Sequence, residues 1–421
     1  MRSLAKNKGY MTLMGAQAIS SIGDWLSIVA IITLVGLKWN ASPIQVSAVI
    51  LCLAVPMALL GPVAGIVADR FSRKTIMIIS DVVRAGLILV LTIASSLWMV
   101  YATLFTIGIF SAVFIPAKNG KLKEVVGEND MKGAMSITSM IDSTTKILGP
   151  LISGVLVAAF GSQQVFIIDS ATFVVSAVLL LFLPNAVNIE HTEESEQTQE
   201  SFKQEFAMGL SFIKSSRFMI VGLLMMGVSL LILQSADTQL IVLIRELTNP
   251  SPDLFGYLVT GSGAGMFLAG VMLAKKTDYR AYPLMLMGVC GIGLSFGIMG
   301  ALTYYDLSYS IIWAPALGFT AGFSASLIFV PFQATVQVDT PVNMTGRVFG
   351  VINSVMTTAT IIGPLLGGWM ATVLGVIPTF IITAGMLVLV SLIGYFTRRK
   401  VDRGNSHGST HERRTSAATT G

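Results

Sequence analysis

A chain of 421 residues that is 53% hydrophobic, 12% charged and has a mean hydropathy of +0.77 is too apolar for a soluble globular protein, about a quarter of whose residues are normally charged. The lipid bilayer is the solvent that fits. Net charge is +5, from 27 basic and 22 acidic residues, but in a membrane protein the place of each charge carries more information than the sum.

Twelve apolar runs, each near the roughly 20 residues that a helix needs to cross the hydrocarbon, predict twelve transmembrane helices. The first six cover 10–37, 44–68, 75–95, 98–117, 136–160 and 163–183; the second six cover 217–240, 254–274, 283–304, 308–332, 347–372 and 376–396. The first run follows a basic start, yet it is about twice as long as a signal-peptide core and lacks a clear cleavage site, so it is read as a retained helix. Cys52 and Cys290 both fall inside predicted helices, which implies neither a disulfide framework nor a paired-cysteine metal site. Of the Lys and Arg residues, only Lys38 and Arg245 fall on one side's loops and only Arg84 and Lys146 within helices; the remainder line the other side. That side is therefore cytoplasmic and holds both termini.

Helix 1 carries Gln17, Asp24 and Trp25. Helix 3 carries Asp81 and Arg84 at i, i+3, and helix 5 carries Asp142 and Lys146 at i, i+4, so each pair shares a helical face and can neutralise itself. Asp169 lies in helix 6 and Asp237 late in helix 7. Charged groups at bilayer depth are costly and normally mark a pathway. Asp24 has no basic partner within a turn of its own helix and is the first candidate for proton coupling, with Asp142 and Lys146 beside it. All three histidines, His191, His407 and His411, fall in the linker or tail, so a carboxylate must carry any coupling proton. For Asp81 and Arg84 a structural ion pair is the simpler reading. Gln17, Trp25, Gln234 and Asp237 are candidate cavity residues, offering hydrogen bonds and aromatic surface to an amphipathic ligand, with Gln239 nearby.

An internal repeat joins the halves. GPLISG, with Gly149, Pro150 and Gly154, recurs as GPLLGG, with Gly363, Pro364 and Gly368, 214 positions later. The same shift aligns Gly161 with Gly375 and brings Asp24 within one residue of Asp237. The expected domains are thus a six-helix bundle over 1–183, an acid-rich cytoplasmic linker over 184–216, a second bundle over 217–396 and a disordered tail over 397–421.

The loop after helix 2 reads GIVADRFSRK. It resembles the signature loop of the major facilitator superfamily: Gly65, Asp69, Arg70, Arg73 and Lys74 match, and Ser72 stands where the second glycine would be. Asp69 is suited to a contact across the half-interface made in one conformational state only, a latch. The glycine-rich helix 5 ending in GPLISG resembles the antiporter signature of the superfamily's exporters. QAISSIGDW, DVVRAG and TGRVFGVINS look like the branch that includes macrolide efflux proteins and siderophore exporters. The resemblance implies twelve helices in two pseudo-symmetric bundles, alternating access and proton-coupled export of an amphipathic drug, antibiotic or siderophore-like compound from a bacterial inner membrane.

No phosphate-cradling GxxxxGK[ST] loop occurs, so no built-in ATPase is expected. Neither an enzyme nor a cofactor, metal or nucleic-acid partner is expected; the partners are the small substrate, protons and the lipid bilayer, and the chain is expected to be a monomer. The rival readings are a lipid or lysophospholipid flippase and a transport-inactive sensor or scaffold.

Overall fold

The computed structural model describes residues 4, 6–126, 130–184, 202–248, 250–251, 253–275, 279–341 and 344–396, without the side chains of 62, 69, 132, 136, 139, 143 and 202–205. The tail over 397–421 and most of the acid-rich linker lie outside the described residues.

In lipid the backbone must satisfy its own polar groups, which leaves helices as the economical way for these apolar runs to span. The helices are α1 (Lys8–Lys38, whose last turn over Leu34–Lys38 widens to π geometry), α2 (Pro43–Arg70), α3 (Arg73–Thr92) and α4 (Leu97–Val125). A run of 51 residues, Met131–Leu181, follows. Straight, it would reach about 75 Å, more than twice the roughly 30 Å hydrocarbon core. Gly161 breaks it at φ 76°, ψ 167°, a conformation that glycine alone adopts readily, giving α5 (131–160) and α6 (162–181).

The second half repeats this plan with α7 (Arg217–Asp237, continued by a short helix Leu240–Arg245), α8 (Leu254–Lys275), α9 (Ala281–Tyr304), α10 (Ser310–Asp339), α11 (Thr345–Leu374) and α12 (Val376–Phe396). Gly375 between α11 and α12 has φ 92°, and it and Gly161 are the positive-φ glycines of the described residues. The repeat inferred from GPLISG and GPLLGG thus extends to the corner that turns each fifth helix into each sixth.

Local signals set several helix starts. The Asn7 side chain accepts from the Tyr10 N–H at 3.0 Å and donates to the Val125 carbonyl at 2.8 Å, tying the start of α1 to the end of α4. Ser42 and Gln45 form a capping box ahead of Pro43, which stands where a helix has no need of a donor. Two spans differ from expectation. Helix α4 continues to Val125 rather than ending near 117, so Lys118, Lys121 and Lys123 ride on a helix and not a loop. Helix α10 likewise runs on to Asp339. In the linker, Phe202–Ser215 forms a helix that docks on α11, where a Cβ at Gly209 would meet the Arg347 carbonyl oxygen at 2.5 Å.

The face of the bundle where α1 begins is called here the amino-terminal face, and the opposite one the far face. The halves meet from mid-depth to the far face. Gly154 of α5 lies so close to α8 that an added Cβ would stand 2.6 Å from the Gly256 carbonyl oxygen. Its repeat partner Gly368 of α11 meets Ser47 and Ile44 of α2 in the same manner. Small residues here let backbones approach where no hydrophobic drive between helices exists. Beyond them, Gln239 donates to the Ser47 hydroxyl at 2.9 Å and the Pro43 carbonyl at 3.3 Å, and Arg245 donates to the carbonyls of Gly36 at 3.0 Å and Ala41 at 2.8 Å. Toward the amino-terminal face the same helices part: Gly61 and Gly65 on α2, and Gly346 and Gly350 on α11, have no neighbouring atom within 4 Å of a Cβ position.

Candidate substrate cavity and charge network

Arg84 is the centre of the charged residues inside the first half. Its guanidinium lies between two rings, with Cζ 4.6 Å from the Phe114 centroid and 4.4 Å from that of Phe173. It pairs with Asp81 one turn earlier, and the Asp81 carboxylate also accepts from the Ser176 hydroxyl at 2.6 Å. Asp81 and Arg84 are buried. Asp24 on α1 reaches Arg84 across the bundle at 3.7 Å, and its side chain remains 50% exposed. It borders a small chamber, roomy enough for water, shared with Ser27, Ile88 and Phe173.

Asp169 on α6 is fully buried beside this group. It accepts from the Ser27 and Thr172 hydroxyls, and a side chain at Gly23 would collide with it. Asp24 and Asp81 thus meet one guanidinium, with Asp169 in its electrostatic range, so the number of protons the three hold sets the net charge of the cluster.

Asp142 and Lys146, expected to neutralise one another on α5, form no ion pair among the described residues. Asp142 instead accepts from Gln17 at 2.7 Å, and Lys118 of α4 lies within electrostatic range of both Asp142 and Asp24. Gln17, expected in the cavity, is 3% exposed and packed inside the first half. It stands seven residues, about two turns, before Asp24 on α1, and Asp142 of α5 takes its donor.

Between the halves lies a cavity of about 380 Å³, within the range of about 300–1,000 Å³ typical of small-molecule sites. Trp25, Gln234, Asp237 and Lys146 all line it, with Pro150 and the aromatic rings of Phe255, Phe296 and Phe329. Gly149 gives Trp25 its place, because a Cβ there would overlap the indole, and Ser153 donates to the Trp25 carbonyl at 2.8 Å. In the second half Gly363 does the same for Gln234, against whose Cβ it packs.

The signature loop is anchored within its own half. Arg73 pairs with Glu124 at 2.9 Å, Glu124 also pairs with buried Lys121 at 2.7 Å, and Lys74 donates to the Leu181 and Leu183 carbonyls that end α6 at 2.8 and 2.7 Å. Arg70 is exposed. The Asp69 side chain lies outside the described residues. Gln239, expected to offer hydrogen bonds to a ligand, is instead fully buried and donates to Ser47 and Pro43 across the half-interface; Arg245 reads in sequence as a loop charge, and only its carbonyl partners on α1 and the following loop show its part in joining the halves.

A bundle of twelve helices in two repeated halves, closed at one face around a central cavity, defines a membrane carrier. The family model described as Major Facilitator Superfamily matches residues 13–362 and 240–419, and the chain belongs to that superfamily, whose members are transporters rather than enzymes. It is 38% identical over 388 residues to the MFS-type transporter YfiS of Bacillus subtilis, covering 92% of each chain. To Macrolide efflux protein A of Streptococcus pyogenes it is 23% identical over 391 residues, covering 91% of this chain and 94% of the relative. The crystal structure of the nucleoside transporter NupG superposes with a TM-score of 0.66 at 13% identity over 92% of this chain and 98% of that one, a likeness of fold alone.

Proposed function

We propose that this transporter exports an amphipathic small molecule, a drug, antibiotic or siderophore-like compound, in exchange for protons. The observation that carries the reading is the half-exposed Asp24 carboxylate, held 3.7 Å from Arg84 at the edge of a buried cluster with Asp81 and Asp169. A proton gained or lost at Asp24 changes the charge that Arg84 feels, and Arg84 links α1 to α3. The apolar, aromatic cavity supports an amphipathic cargo, and likeness to a macrolide efflux protein over nine-tenths of the chain supports the outward direction. Asp142, hydrogen-bonded to Gln17 and near Lys118, is the second coupling candidate.

By the distribution of Lys and Arg the amino-terminal face is cytoplasmic and both termini lie inside. The structure then corresponds to an inward-open state in a bacterial inner membrane, with the protein acting as a monomer. Gly65 and Asp69, at the parted ends of α2, serve the opposite state as the latch that closes the cytoplasmic side.

The test uses inside-out vesicles carrying a pH gradient reported by a quenched dye. A panel of macrolides, cationic drugs and siderophores is added, and an exported compound discharges the gradient. Asp24→Asn removes a titratable group at constant volume, and discharge should vanish with the protein level unchanged. Discharge equal to wild type would reject Asp24 as the coupling group; no response to any compound would reject the exchange reading.

A further inference from the structure

The cavity wall carries a cation and an anion that, among the described residues, have no side-chain hydrogen bond or ion pair. Lys146 enters from α5 and Asp237 from the end of α7, so the two belong to opposite halves. Both are exposed within the cavity, and neither makes a side-chain hydrogen bond or ion pair among the described residues. The other intramembrane carboxylates differ: Asp24 and Asp81 gather on Arg84, Asp142 receives Gln17, and Asp169 receives Ser27 and Thr172.

An unpaired charge at bilayer depth is costly, and water in a cavity lowers that cost without removing it. A ligand of complementary charge, bound where water is excluded, replaces the hydration with a charge-assisted hydrogen bond. The wall around the two charges is apolar, formed by Trp25, Phe255, Phe296 and Phe329 with the thioethers of Met266 and Met299. Polarisable sulfur and aromatic faces accept apolar bodies of varied shape.

We propose that the cavity takes an amphipathic zwitterion: a protonated amine meets the Asp237 carboxylate, an anionic group meets the Lys146 ammonium, and an apolar body packs on the aromatic wall. This names the substrate class of the site described above and rests on that site being the cargo cavity. Because each half contributes one charge, the ligand bridges the two halves, which is where a carrier must sense its cargo. The same pair of charges occurs on a free amino acid derivative and on the headgroup of a lysophospholipid, and the two sources are separated by competition.

The experiment is equilibrium dialysis with the full-length protein in detergent against four forms of one probe: 2-naphthylalanine (zwitterion), its carboxamide (cation), its N-acetyl form (anion) and the N-acetyl carboxamide (neutral). The zwitterion should bind about tenfold or more tighter than either singly charged form. Asp237→Asn should lower zwitterion affinity to that of the anion, and Lys146→Gln to that of the cation, with the neutral form unaffected by either. Equal affinities across the four forms overturn the proposal. So does a loss that is uniform across them in a variant that remains monodisperse on gel filtration, since that marks a structural role.

Displacement of the zwitterion by lysophosphatidylethanolamine, whose headgroup carries a protonated amine and a phosphate, lost in both variants, supports the site with a lipid headgroup as its occupant; retention of the zwitterion against it supports a free solute. No gradient is present in this assay. Charge selectivity can therefore fail while pH-driven export persists, and proton coupling can fail while charge selectivity stands.

Discussion

Arg84 shows how one side chain can be both structural and poised to respond. Its guanidinium is planar, so it fits between the rings of Phe114 and Phe173 while its edge meets Asp81 and Asp24. Arg84→Ala would leave Asp81 fully buried with only Ser176 as partner, and removing one member of a buried pair costs about 3–5 kcal/mol. A sharp fall in folded yield, read by fluorescence-detected gel filtration, is expected. Arg84→Lys keeps the charge but loses the plane, so its thermal midpoint should fall between those of wild type and Arg84→Ala; equality with wild type would deny the ring stacking any part. Asp24→Asn, by contrast, touches a half-exposed group 3.7 Å from its partner and should leave the midpoint nearly unchanged while transport is lost. The contrast within one cluster separates a stability role from a coupling role. Of this cluster, the Asp81 and Arg84 pairing was legible in the sequence because both residues ride one helix at i, i+3. The contacts of Arg84 with Asp24, Gln17 with Asp142 and Ser27 with Asp169 join different helices, and spacing along a chain carries no information about them.

At the scale of the element, glycine has two distinct jobs. Gly161 and Gly375 turn one helix into the next at φ 76°, ψ 167° and φ 92°, ψ 158°, a region all but reserved to glycine, where a β-carbon costs of order 1–3 kcal/mol. Gly161→Ala and Gly375→Ala should each lower stability by about that amount, measured as a shift in thermal midpoint, and two unequal effects would argue against equivalent corners in the two halves. Gly154 and Gly368 instead let helices from opposite halves touch. A leucine at Gly154 would press on the α8 backbone near Gly256 and Thr260, so Gly154→Leu should hold the far face apart and stop turnover even where the protein inserts normally. Gly65→Leu offers the opposing case. Nothing lies within 4 Å of its Cβ position here, so the variant should fold with an unchanged midpoint; if the α2 end closes against the other half in the second state, transport slows all the same, and wild-type rates would remove Gly65 from the latch. The helix spans themselves were readable from hydropathy to within a few residues, because each apolar run is as long as the bilayer is thick. The ends of α4 and α10 were not. Lys118, Lys121 and Lys123 look like a loop by charge, yet Lys121 pairs with Glu124, which also holds Arg73, and this lets the helix run on beyond its apolar stretch.

Across the whole molecule, the state seen is set by which ends of the halves are bonded together. Among the described residues, the inter-half hydrogen bonds of Gln239 and Arg245 lie at the far face. Arg245 is the stronger of the two, since a guanidinium donating to carbonyls is a charge-assisted contact worth about 1.5–3 kcal/mol. Its bonds to Gly36 and Ala41 exist only while the far face is closed, so they stabilise this state and not its opposite, which is the condition for any contact to bias a two-state equilibrium. Arg245→Ala should therefore shift the population toward the far-open state by about tenfold to a hundredfold. A cysteine placed at the cavity residue Gln234, in a background where Cys52 and Cys290 are replaced by serine, reports the shift: an impermeant maleimide added to intact cells should label it faster in Arg245→Ala than with Arg245 present. An unchanged labelling rate would mean that the far face is held by helix packing at Gly154 and Gly368 alone, and that the arginine merely caps the loops beside it.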